Sequence, residues 1–189
     1  LVGRLAGRNP AAPALVTGSH TDTVDGGGRF DGVVGVLGAL EAVRLLRESG
    51  TVLERDLLVV DFLGEESNAF GLSCLGSRAL AGELTAADLA RTDYSGKTLA
   101  AAYADFGVDP SALLSFAGWT GKRRPHAYLE LHVEQGPTLE ARGLPVGIAF
   151  SAAATAAGEG VLVGAPGTPG LGLVPTVEGP DVLRWTVFA

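Results

Sequence analysis

A chain of 189 residues with 47% hydrophobic side chains is long enough for a packed domain and too apolar to be disordered by composition. Its 14 basic and 21 acidic groups leave a net charge of −7, which excludes the basic surface that nucleic acid or an anionic membrane requires. One Cys excludes an internal disulfide, and no run approaches the roughly 20 apolar residues of a membrane-crossing helix.

These features are those of an acidic cytoplasmic protein. The chain contains no Met and opens on the apolar Leu1-Val2-Gly3, so a processed start or a piece of a longer protein is expected.

Three runs read as strands. The first, over 14–18, is short and β-branched and ends at Ser19-His20. The second, over 57–63, is almost continuously apolar, as a strand buried on both faces should be. The third, over 127–134, alternates, placing Leu129, Leu131 and Val133 on one side and Tyr128, Glu130, His132 and Glu134 on the other.

Between the first two, Val33, Val36, Leu37, Leu40, Val43 and Leu46 follow three/four spacing and predict a helix over 32–48, stopped by Gly50. Shorter helices are expected near 76–80, 85–91, 96–105 and 137–142, with a further start at Asp109-Pro110-Ser111. Alternation of strand and helix predicts an α/β layered domain, with a central, mostly parallel sheet flanked by helices.

Residues 1–150 form the expected domain. Residues 151–189 are an atypical tail rich in Gly, Pro and Ala, without helix or strand periodicity beyond one short strand at Val161-Leu162-Val163. A shift of reading frame after Phe150 would produce such a composition.

The residues able to carry chemistry cluster at strand ends. His20 and Asp22 form a His-x-Asp pair at the end of the first strand, and an imidazole that binds metal needs its other nitrogen held by an acceptor. Asp31 follows a glycine run that lets the chain turn tightly enough to aim it inward. That run lacks the spacing of a phosphate-binding loop. Glu65-Glu66 closes the buried second strand, where two adjacent carboxylates repel unless a cation or proton intervenes. His132 lies on the third strand among Glu130 and Glu134. Two imidazoles with two or three carboxylates at the carboxyl edge of an open sheet suit Zn²⁺, with Mn²⁺ or Co²⁺ as alternatives.

Gly18-Ser19-His20-Thr21-Asp22-Thr23-Val24 and Gly27-Gly28-Arg29-Phe30-Asp31-Gly32-Val33 resemble the metal motifs of hydantoinase/carbamoylase-type amidohydrolases. So do Gly64-Glu65-Glu66, the block from Phe70 to Arg78 and, most specifically, Glu130-Leu131-His132-Val133-Glu134-Gln135-Gly136-Pro137. The resemblance covers about residues 10–150 in unbroken order. It implies a fold like that of dinuclear zinc exopeptidases, and an activity on N-carbamoyl amino acids, allantoate or β-ureidopropionate.

By that resemblance Asp31 bridges two metals, His20 and His132 complete the first, and Glu66 binds the second. Glu65 is then the general base, Asp22 the partner of His20, and Gln135 a substrate contact. Implied is attack of a metal-bridged hydroxide on a ureido or amide carbonyl, releasing ammonia and CO₂ from carbamoyl substrates.

Two departures stand out. Ser67-Asn68-Ala69 replaces a Gly-x-Arg common in the family, which bears on substrate preference. No His follows His132, although the family's last metal ligand is a late His, and the family's lid and dimerisation domain is also missing. The expected molecule is therefore a truncated catalytic domain that binds one metal well and a second weakly, hydrolyses a small ureido substrate poorly or not at all, and lacks the family's homodimer surface. Two alternatives remain: a non-catalytic metal-binding module, and a dinuclear-zinc aminoacylase or aminopeptidase.

Overall fold

The apolar run expected to be buried on both faces becomes a strand paired on both sides, one position in from the sheet edge. The computed structural model describes residues 1–119 and 124–149 and, as strand backbone, 162–163, 176–177 and 183–188. Strand β1 spans Val2–Leu5, β2 Leu15–His20, β3 Leu57–Phe62, β4 Ala127–His132 and β5 Gly147–Ala149, followed by β6 Leu162–Val163, β7 Thr176–Val177 and β8 Leu183–Phe188. They form one sheet in the order β1-β3-β2-β4-β8-β5-β6, with β7 also paired to β8. Neighbours β3, β2, β4 and β8 run parallel, while β1, β5, β6 and β7 join antiparallel. The expected α/β architecture is borne out.

Register explains why the chemistry gathers at one edge. His20 pairs with Phe62 and Leu15 with Leu57, so β2 and β3 end together. Leu15 also pairs with Ala127 and Thr17 with Leu129, which brings the end of β4 alongside. Glu65 and Glu66 follow just beyond β3. Val16, Leu57, Val59 and Val60 are buried along these strands, as runs covered on both faces must be.

Helix α1, Val33–Glu48, packs on this sheet along only part of the expected stripe: Val36 is buried and Val33, Val43 and Leu46 are half-buried. Gly35, Val36 and Ala39 are buried, whereas Leu37 and Leu40 remain 59% and 51% exposed. Small residues decide the contact. A Cβ at Gly35 would lie 2.2 Å from the Leu131 carbonyl oxygen and 2.6 Å from Ser19 Cβ, so only glycine allows this approach.

On a separate core, Leu75, Leu84, Leu89, Leu99 and Tyr103 pack together. They join helices α2 (Leu75–Ala81), α3 (Ala86–Leu89) and α4 (Leu99–Asp105). Thr85 and Asp88 form a reciprocal capping box at α3, and Thr98 caps α4, which therefore begins three residues after the glycine expected to open it. Helix α5 (Pro110–Ser115) starts behind Asp109 as expected, and α6 spans Thr138–Arg142.

Four strands were not expected: β1, the short β5 and β7, and β8. At the sheet edge, β1 is anchored by Arg4 Nε donating to Asp56 Oδ2 at 2.7 Å, which holds the Asp56 carboxyl below its usual range. In the tail, β8 pairs along its whole length with β4, from Ala127↔Leu183 to His132↔Phe188. Strand β5 then pairs with β8 across the boundary expected at residue 150. The expected strand near 161–163 is present as β6, Leu162–Val163; tail residues other than those of β6, β7 and β8 lie outside those described. Among the described residues no helix is long and apolar enough to cross a membrane.

Candidate metal centre

The two histidines come together at the carboxyl edge of β2 and β4. His20 is only 2% exposed, and its ring lies against the start of α1. A Cβ at Gly32 would stand 2.4 Å from His20 Nδ1, and Gly32 itself has φ +64°, so glycine is required on both counts.

His20 Nδ1 lies 2.8 Å from the Asp22 carbonyl oxygen, and His132 Nδ1 lies 2.8 Å from that of Val133. A carbonyl only accepts, so the proton of each neutral ring sits on Nδ1. The two Nε2 lone pairs then face each other at 3.4 Å. Asp31 Oδ1 is 3.3 Å from His132 Nε2, yet it is buried without a hydrogen-bond donor. In that tautomer both Nε2 atoms and Asp31 Oδ1 are acceptors converging on one place, an arrangement that a cation suits. His20, Asp31 and His132 each offer a ligand atom within 4.8 Å of the others.

The carboxylate half adjoins it. His20, Glu65 and Glu66 also offer ligand atoms within 4.8 Å of one another, and Glu65 Oε2 stands 3.7 Å from His20 Nε2. Burial pushes the Glu66 carboxyl up from its ordinary range, and the like charges of Asp31 and Glu65 push it further. A divalent ion would reverse that balance. These donors fit a metal.

Supporting groups surround these donors. The Asp22 carboxylate accepts from the backbone N–H groups of Glu65 at 3.2 Å and Glu66 at 3.0 Å. Its nearest approach to the His20 ring is 3.8 Å, so the contact to His20 runs through the Asp22 carbonyl instead. Gln135, expected at the substrate, donates from Nε2 to Asp31 Oδ2 at 2.8 Å. Asn68 donates to the Leu72 carbonyl at 2.8 Å and accepts from the Phe70 N–H at 3.0 Å, clipping its own loop.

Ser19 was not singled out from the sequence, nor was Glu130 beyond its place beside His132. Ser19 Oγ donates to Glu130 Oε1 at 2.5 Å, and the Tyr128 hydroxyl lies 2.9 Å from Glu130 Oε2. The strand alternation that put Glu130 on the face of His132 was the available signal.

Comparison with known proteins agrees with this geometry. Residues 1–96, just over half of the 189, match peptidase family M28. The chain belongs to that family. Residues 140–189 match the N-terminal domain of an Rv1486c-like protein. The chain is 41% identical over 180 residues to a ureidoglycolate hydrolase of Arabidopsis thaliana, covering 93% of this chain and 38% of that protein. It is 45% identical over 148 residues to an N-carbamoyl-L-amino acid amidohydrolase of Geobacillus stearothermophilus, covering 78% and 36%. A crystal structure of a hydantoinase/carbamoylase family amidase from Burkholderia ambifaria superposes with a TM-score of 0.66 at 38% identity, covering 79% of this chain and 37% of that one.

The resemblance carried by the histidine and carboxylate motifs is thus borne out, and these relatives are hydrolases of carbon–nitrogen bonds. The chain spans well under half the length of each. The M28 family and the donor set together point to a metal, without selecting the element.

Proposed function

We propose that this chain carries the Zn²⁺ half-site of an amidohydrolase acting on linear C–N bonds of N-carbamoyl amino acids or related ureido compounds, such as allantoate. The observation that carries the reading is the convergence of His20 Nε2, His132 Nε2 and Asp31 Oδ1 with the Glu65 carboxylate beside them. Mn²⁺ or Co²⁺ would suit the same nitrogen and oxygen donors.

A bound metal would polarise the ureido carbonyl and make its water more acidic. The residues supply the rest. His20 and His132 present their Nε2 atoms while their Nδ1 atoms sit against backbone carbonyls, and Asp31 Oδ1 lies 3.3 Å from His132 Nε2. Glu65, whose Oε2 faces His20, takes the proton of the attacking water and returns it to the departing nitrogen. Glu66 would help to hold a second ion, more weakly than the histidines would hold the first. Gln135 orients Asp31 and reaches substrate from the same position. The proposed setting is cytoplasmic, with a small ureido molecule as partner.

Glu65→Gln tests the reading. With the metal loaded and an N-carbamoyl amino acid as substrate, turnover should fall on the order of 10²- to 10⁴-fold while metal content stays unchanged. An unaltered rate would remove Glu65 as the base. No rate in either protein would favour a metal-binding module, and preference for N-acetyl or peptide substrates would favour an aminoacylase or aminopeptidase.

A further inference from the structure

Cys74 stands nine residues after Glu65 and contacts it twice. Its backbone N–H donates to the Glu65 carbonyl at 2.7 Å; those of Leu75 and Gly76 donate to Gly64 at 2.9 Å and Leu63 at 2.7 Å. The start of α2 is thereby stitched onto the loop that carries the carboxylate pair. The Cys74 side chain then returns to the same residue, its Sγ donating to Glu65 Oε1 at 3.6 Å. The other oxygen, Oε2, is the one 3.7 Å from His20 Nε2.

The backbone makes this arrangement more telling. Cys74 has φ +60° and ψ +35°, and among the described residues it is the one non-glycine with positive φ. Glycine would relax that conformation, so a side chain held there needs a reason beyond the turn itself. Burial and the adjacent Glu65 charge push the thiol above its ordinary range, which keeps it a donor.

We propose that Cys74 is a positioning residue for Glu65, its thiol holding Oε1 so that Oε2 faces the histidine cluster. The proposal rests on the reading of Glu65 as the proton acceptor. It leaves Cys74 itself out of contact with substrate. The thiol selects which carboxylate oxygen is free to work, and restricts the rotation that would turn both oxygens away.

Cys74 is the one cysteine of the chain, so an aromatic disulfide reagent reports on it alone. In the metal-free full chain at mildly alkaline pH, Glu65→Gln should raise the labelling rate about threefold or more, because the neighbouring negative charge is gone. Equal rates would overturn the contact and the proposal with it.

A second arm uses Cys74→Ser, Cys74→Ala and Cys74→Gly with Zn²⁺ and an N-carbamoyl amino acid. Serine keeps a donor and should retain most of kcat, while alanine and glycine lose about tenfold with KM unchanged. Cys74→Gly should melt no lower than the parent, since it relieves the positive φ. Full turnover in the alanine and glycine variants would reduce Cys74 to packing. Full turnover in Glu65→Gln would instead defeat the base assignment, and the labelling rates would still decide the contact.

Discussion

The two halves of the centre are built by opposite means. The histidine half is assembled from strand ends and a helix start: His20 and His132 terminate β2 and β4, their Nδ1 atoms are fixed by neighbouring carbonyls, and Asp31 is steadied by Gln135. Its groups are neutral or singly charged. The carboxylate half hangs on a loop after β3, carries two adjacent negative groups, and is held through its backbone by Asp22 and the start of α2. The first half therefore has its binding geometry before any ion arrives. The second gathers repelling charges and depends on tethers to keep them in place.

His132→Ala should break the first half most severely. With one of the two imidazoles gone, Asp31 Oδ1 and His20 Nε2 no longer enclose an ion, and the tighter of two metal equivalents should vanish from a calorimetric titration. Persistence of that equivalent would move the site elsewhere.

A smaller loss, on the order of 10- to 100-fold in affinity, is expected from Asp22→Ala, and it should fall on the weaker equivalent. That substitution leaves the Asp22 carbonyl on His20 but removes the acceptor from the Glu65 and Glu66 N–H groups. A selective loss of the tighter equivalent would mean that the Asp22 carboxylate serves His20 after all.

The smallest effect belongs outside both halves. Leu37→Gln, on the exposed face of α1, should change unfolding free energy by less than about 0.5 kcal/mol in urea denaturation and leave metal binding untouched.

Much of this construction could be read without coordinates. The apolar run of β3 and the alternation of β4 identified the central strands, and Glu130 and His132 fell correctly on one face. The stripe on α1 was legible in part: Val33, Val36, Val43 and Leu46 are buried or half-buried, but Leu37 and Leu40 are exposed. Three/four spacing was met by the larger leucines, but the distance to the sheet is set by Gly35, whose contribution is the absence of a side chain. Strand β1 was missed because Val2-Gly3-Arg4-Leu5 has little apolar face of its own and is defined by pairing with β3. Strand β8 was missed for a different reason: Leu183, Trp185 and Val187 alternate with Arg184 and Thr186 as a strand should, but the run is short and follows a long Gly/Pro-rich stretch. The motif spacing put Asp22 beside His20, yet only three-dimensional placement brought its carboxylate to a loop more than 40 residues on.

The distance along the chain between the two histidines has a consequence for folding. His20 and His132 are separated by 112 residues, and the chain has a single cysteine with which to close nothing covalently. An ion held by both would tie off that long loop, as a cross-link does, and withdraw a large set of open conformations from the unfolded ensemble. In a chain-entropy account, a loop of about 100 residues corresponds to roughly 4 to 5 kcal/mol. The metal would then act as the staple of a sheet whose parallel strands are contributed from distant parts of the sequence.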